Sequence, residues 1–91
     1  MTAIHPALLP ADIAAEIIRQ TTERGAQASI CPSEVARALA VDWRPLLGPV
    51  RRAAFDLARA GQIEVLRKGR AVDPDAVRGV IRLRLRLQEP S

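Results

Sequence analysis

The chain has 91 residues, a formal net charge of +4, a single cysteine and an apolar content of 48%, which is ordinary for a globular chain and leaves room for one domain with one small core. No apolar run approaches the roughly 18 residues of a membrane span, and one cysteine excludes an internal disulfide. The N-terminus lacks a basic stretch followed by a long apolar one, so no secretory signal and a cytoplasmic location are expected.

Charge is unevenly placed. Residues 1–43 carry three arginines against five carboxylates, a net −2, and residues 44–91 carry eleven cations against five carboxylates, a net +6. Thirteen of the fourteen cations are Arg, whose planar fork of donors suits phosphate and guanine edges. A coding bias toward Arg and Ala explains the same composition, so composition leaves both readings open.

Residues 1–10 read as a flexible N-terminal arm and residues 11–88 as the folded domain. Helix one is expected to start at Pro10 or Ala11 and to run to about Arg24. Ile13, Ile17 and Thr21 recur every four residues, with Ala14 and Ile18 beside them, and Gly25 supplies the stop. Gln27–Ile30 is a short extended link, read as a short first strand ahead of the two-stranded wing. Cys31-Pro32-Ser33-Glu34 opens a short helix two ending near Ala40, with Pro32 suited to a first helical position and Glu34 to the positive end of the helix dipole. Val35, Ala36 and Leu39 face inward.

Helix three is expected over about 44–60, capped by Asp42. Gly48-Pro49 marks a kink or the true start, because proline lacks the helical donor and clashes with the preceding turn. At 100° per residue Trp43, Leu46, Val50, Ala53, Ala54 and Leu57 share one face. Arg44, Gly48, Arg52, Phe55 and Arg59 share the other, with Arg51 flanking it. The periodicity then changes from about four to two at Gly61. Gly61–Arg70 and Val80–Leu87 read as antiparallel strands. Ile81, Leu83, Leu85 and Leu87 point one way, and Arg82, Arg84 and Arg86 the other. Lys68-Gly69 suits a turn or bulge, and Asp73-Pro74-Asp75 a loop.

Three helices followed by a basic hairpin is the order of an α+β winged helix-turn-helix: three helices plus a small antiparallel sheet with a C-terminal wing hairpin. Ile30-Cys31-Pro32-Ser33-Glu34-Val35-Ala36-Arg37-Ala38-Leu39 resembles the second helix of many bacterial winged-helix regulators. Together with Asp42-Trp43-Arg44-Pro45-Leu46, Val50-Arg51, Gly61-Gln62-Ile63, Lys68-Gly69-Arg70 and Ile81-Arg82-Leu83, the stretch 11–87 is similar to a family of short bacterial proteins, the domain-of-unknown-function family numbered 3253. The resemblance implies the winged-helix fold and no established activity. Some relatives carry an additional cysteine-rich segment suited to zinc; with Cys31 alone, this chain lacks it.

Arg44, Arg51, Arg52 and Arg59 on helix three are candidates for major-groove contact, and Arg67, Lys68 and Arg70 around the wing turn for phosphate contact. The competing reading of the helix is a solvated face with Arg52 paired to Asp56. Phe55 either stacks on a base, marks a protein contact or folds over as satellite core, which the residues favour. Arg82, Arg84 and Arg86 suit either a phosphate track or, the reading the residues favour, charges that keep the strand from pairing with another sheet, one of them paired across to Glu64. Trp43 is expected in the core, with a hydrogen bond for its indole N–H. Cys31 is expected to be buried and unreactive, with His5, in the arm, no partner for it. No metal-ligand spacing, glycine-rich phosphate loop or catalytic cluster is present in the sequence, so neither cofactor nor enzymatic activity is expected. The partners expected are duplex DNA, or alternatively another protein, for a monomer or weak homodimer with no membrane association.

Overall fold

The computed structural model describes residues 9–87. Its elements are α1 (Pro10–Arg24), α2 (Pro32–Leu39), a 3-10 turn (Arg44–Leu46), α3 (Leu47–Arg59) and strands β1 (Ile63–Arg67), β2 (Arg70–Ala71) and β3 (Arg82–Leu85). Residues 1–8 of the expected arm 1–10, His5 among them, lie outside the described residues, as does the last residue of the expected domain, 88. Pro10 itself is helical.

The period-four pattern of α1 puts Ile13, Ile17 and Thr21 into the core. Thr21 is the buried polar residue of this stripe, and its hydroxyl donates back to the Ile17 carbonyl at 2.8 Å, so it enters the core without an unmet donor. Gly25, at φ +87°, ends the helix where an L side chain would be strained. In α2 the Glu34 carboxylate accepts the Cys31 backbone N–H at 2.7 Å, satisfying a donor the helix leaves open. Val35 and Ala36 are buried.

Helix three resolves in favour of a true start rather than a kink. A 3-10 turn carries the chain through Arg44–Leu46, and the α-helix begins at Leu47. Pro49 therefore sits in the first turn, where an N–H would have no intrahelical partner. The expected Asp42 cap does not form: the 3-10 turn follows Trp43 with no side-chain cap. Val50, Ala53 and Ala54 are buried against α1, α2 and β1. Trp43, Leu46 and Leu57, expected in the core, are half-buried at its margin, as are Leu39 and Leu85.

The sheet is antiparallel with order β2-β1-β3. β1 and β3 pair with Val65 opposite Leu83 and Glu64 opposite Arg84. This register sends Ile63, Val65 and Leu83 into the core with Ile81, as the alternation requires. β2 was not anticipated as a strand. Arg67 pairs with Arg70 across a two-residue turn in which Lys68 (φ +53°) and Gly69 (φ +80°) are both left-handed, the geometry that joins twisted antiparallel strands. The extended link contributes one bridge. Ile30 and Leu83 exchange both backbone hydrogen bonds at 2.8 Å, partly covering the outer edge of β3.

Candidate nucleic-acid interface

The exposed side of α3 carries the first set of predicted residues, and the structure divides them. Arg52 is exposed, with no ion pair or hydrogen bond among the described residues; the pair with Asp56 that the competing reading required does not form. Asp56 instead meets Arg59 at 3.0 Å. Arg59 also gives two of its nitrogens, Nε at 2.9 Å and Nη2, to Asp75 Oδ1 in the loop after β2. The Asp75 carboxylate holds the Arg59 guanidinium above its ordinary pKa. The C-terminal turn of α3 is thus electrically satisfied, and its open charge lies toward the N-terminal end.

Arg51 lies on the flank of that face. Its Nη1 donates to the Gly79 carbonyl at 2.9 Å, and its guanidinium sits 5.2 Å from the Phe55 ring centroid. Phe55 is half-buried and packs against the core, which is the satellite-core arrangement. Arg67, at the end of β1, donates Nη1 to the Val80 carbonyl at 2.9 Å. α3 and the stem of the β1–β2 hairpin are therefore both fastened to the same dipeptide. Gly79, at φ +85°, allows the approach: a Cβ there would lie 2.8 Å from Arg67 Nη1. Beyond the stem, Lys68 and Arg70 are exposed and meet no carboxylate among the described residues.

Arg44, on the 3-10 turn, is exposed and lies 4.7 Å from the Trp43 ring centroid. Arg37, in the last turn of α2, covers the same ring at 4.5 Å. The indole N–H has no protein acceptor among the described residues, so the expected hydrogen bond does not form, and it is not a buried orphan. Arg37 was missed as a site residue. Its only signal in the sequence is a cation in a last helical turn shortly before a tryptophan, and the chain must fold back to bring the two together.

The β3 arginines are committed elsewhere. Arg84 meets Glu64 Oε1 at 2.6 Å across the sheet, the cross-strand pair expected from the alternation. Arg82 donates to the Ser29 hydroxyl at 2.7 Å and to its carbonyl at 3.0 Å. Cys31 is half-buried rather than buried, and accepts a hydrogen bond from the Ser33 hydroxyl at 3.2 Å. Among the described residues no group of three His, Cys, Asp or Glu side chains could hold a metal ion, and no helix is long and apolar enough to cross a membrane.

What these elements define is a small α+β domain with a helix and a hairpin stem fastened side by side and guanidiniums left open around them. The family described as Protein of unknown function (DUF3253) matches residues 10–86, and the chain belongs to that family. No curated protein gives a significant match.

Proposed function

We propose that the chain is a winged helix-turn-helix protein that binds duplex DNA through α3 and the β1–β2 hairpin, as a small regulator or accessory factor. The element order supports the winged-helix reading, as does the sequence of pairing from the Ile30 bridge to β3 to β1. The observation that carries the functional reading is the convergence of Arg51 and Arg67 on the Gly79–Val80 carbonyls. It holds beside one another α3, with the 3-10 turn that leads into it, and the β1–β2 hairpin; the outer cations of the first, Arg44 and Arg52, and of the second, Lys68 and Arg70, lack carboxylate partners among the described residues. Arginines without internal partners keep their donors for phosphate oxygens and base edges.

In this reading Arg44, Arg52, Lys68 and Arg70 contact the duplex, Arg51 and Arg67 position the two elements, and Arg59 is held back by Asp56 and Asp75. Titration of a labelled random-sequence duplex over a range of salt tests it. With about four to six phosphates neutralised, log affinity should fall against log salt with a slope of about −4 to −5. Absence of binding at low salt would overturn the proposal.

A second reading, docking of a protein partner, is favoured by one feature. Cys31, Pro32, Trp43, Leu47, Val80 and Ile81 line an open, largely apolar groove of about 410 Å³ beside α3. Val80 in it is 76% exposed, and a partner seated there would bind with little dependence on salt.

A further inference from the structure

Two guanidiniums share one indole at the corner between α2 and the 3-10 turn. Arg37 and Arg44 lie 4.5 and 4.7 Å from the Trp43 ring centroid, so their charges stand within about 9 Å of each other. Both side chains are exposed, and among the described residues neither makes a hydrogen bond or an ion pair. The carboxylates that could have neutralised them do not. Glu34, one helical turn before Arg37, is held by Arg24 at 3.0 Å and by the Cys31 N–H at 2.7 Å. Asp42, next to Trp43 in the chain, is exposed and forms no ion pair among the described residues.

Stacking and hydrogen bonding use different parts of a guanidinium. The ring attracts its face, while its N–H donors lie in the plane and point outward along the edge. Trp43 therefore orders two donor forks without consuming them, and it holds two like charges near each other against their mutual repulsion. An anion that reaches both forks relieves that repulsion and meets donors already restrained. With their charges no more than about 9 Å apart, the two forks are close enough to engage neighbouring phosphates of one strand.

We infer that Arg37, Trp43 and Arg44 form a phosphodiester-binding site, with Trp43 positioning the two arginines, that extends the duplex interface from α3 onto the end of α2. The inference rests on the DNA-binding reading above and adds to it a residue of α2 and a role for the indole. A structural alternative has the arginines merely roofing the ring, with Arg37 also favoured by the negative end of the α2 dipole. In that case removing them leaves anion binding unchanged.

Trp43 is the single tryptophan of the chain, so its emission reports on this corner alone. The experiment compares the wild-type chain with the double variant Arg37→Gln/Arg44→Gln, using two probes: a random-sequence duplex over a range of salt, and sodium tripolyphosphate at constant ionic strength. Both substituted positions are exposed, and far-ultraviolet dichroism checks the fold. The expected result is a saturable change in wild-type Trp43 emission with either probe. In the double variant the tripolyphosphate response is lost and the duplex salt slope is shallower by about 1.8, or 0.9 for each lost contact. A double variant that keeps the wild-type slope overturns the site, removes Arg44 from the contact set, and leaves duplex binding through α3 and the hairpin standing. A wild type that binds no duplex, yet gives an arginine-dependent response to tripolyphosphate, keeps the anion site and overturns the DNA-binding reading. Absence of duplex binding together with no emission response to tripolyphosphate overturns both.

Discussion

Arg51 of α3 and Arg67 of β1 end on adjacent carbonyls, Gly79 O and Val80 O, each at 2.9 Å. The two residues are separated in the chain by most of α3 and nearly all of β1, and a single dipeptide ahead of β3 joins their side chains. Three elements are thereby fixed by two charge-assisted hydrogen bonds, of the stronger kind.

Gly79→Ala tests this junction. The residue has φ +85°, and the added Cβ would displace the Arg67 guanidinium. The expected cost is about 1–2 kcal/mol in urea melts, mostly from the left-handed backbone, together with weaker duplex binding as the hairpin stem loosens. Unchanged stability and affinity would mean that the dipeptide fastens nothing.

Asp75→Asn addresses the far end of α3. Arg59 is now held by Asp75 and Asp56, and loss of the Asp75 charge should return much of it to the open surface. Stability should change little, because the pair is exposed and screened. The duplex salt slope should steepen by up to about 0.9 if the released guanidinium reaches a phosphate. Arg59→Gln in the wild-type background should leave that slope in place, and a marked loss would return Arg59 to the contact set.

Most of this architecture is legible in the sequence because it rests on periodicity. Ile13, Ile17 and Thr21 at intervals of four give α1, and the alternation through Ile81, Leu83 and Leu85 gives β3 and the buried side of the sheet. The cross-strand pair of Glu64 with Arg84 is legible for the same reason, since register fixes which residues face each other. What escapes is set by contacts between residues far apart in the chain. Arg59 turns to Asp75 rather than remaining on an open face. Arg37 reaches Trp43 only because the chain folds back between α2 and the 3-10 turn. β2 is too short to carry a pattern, and the Lys68-Gly69 turn was legible only as a turn or bulge.

That turn supplies a prediction that separates charge from stability. Lys68 occupies left-handed backbone at φ +53°, and Asn before Gly is the favoured pair for such a turn. Lys68→Asn should stabilise the fold by about 0.5–1 kcal/mol in thermal or urea melts. It should also make the duplex salt slope shallower by about 0.9. A variant that loses stability would contradict the two-residue turn.

Acid pH should weaken the chain partly through Glu34. Its carboxyl is held below the usual range, chiefly by the Cys31 backbone N–H and then by Arg24, against an opposing effect of burial. A depressed folded pKa gives stability that is complete above the unfolded value of about 4.3 and is lost as pH falls through the folded value. Glu16 is lowered through its hydrogen bond with Arg19 and acts in the same direction. Glu34→Gln should cost no more than about 1 kcal/mol at neutral pH, since the pair with Arg24 is exposed to water and salt. The difference from wild type should shrink as pH drops below about 4.3. A gap of constant size across that window would remove Glu34 from the acid response.

Backbone amide shifts recorded while a random-sequence duplex is added at low salt test the central claim most directly, because they report both whether DNA binds and where. The account predicts perturbations concentrated at Arg44–Arg52 and at Arg67–Arg70, weak over the last turn of α3 and absent from the Glu16–Glu23 side of α1. No perturbation at any residue, or perturbations confined to α1, would contradict it.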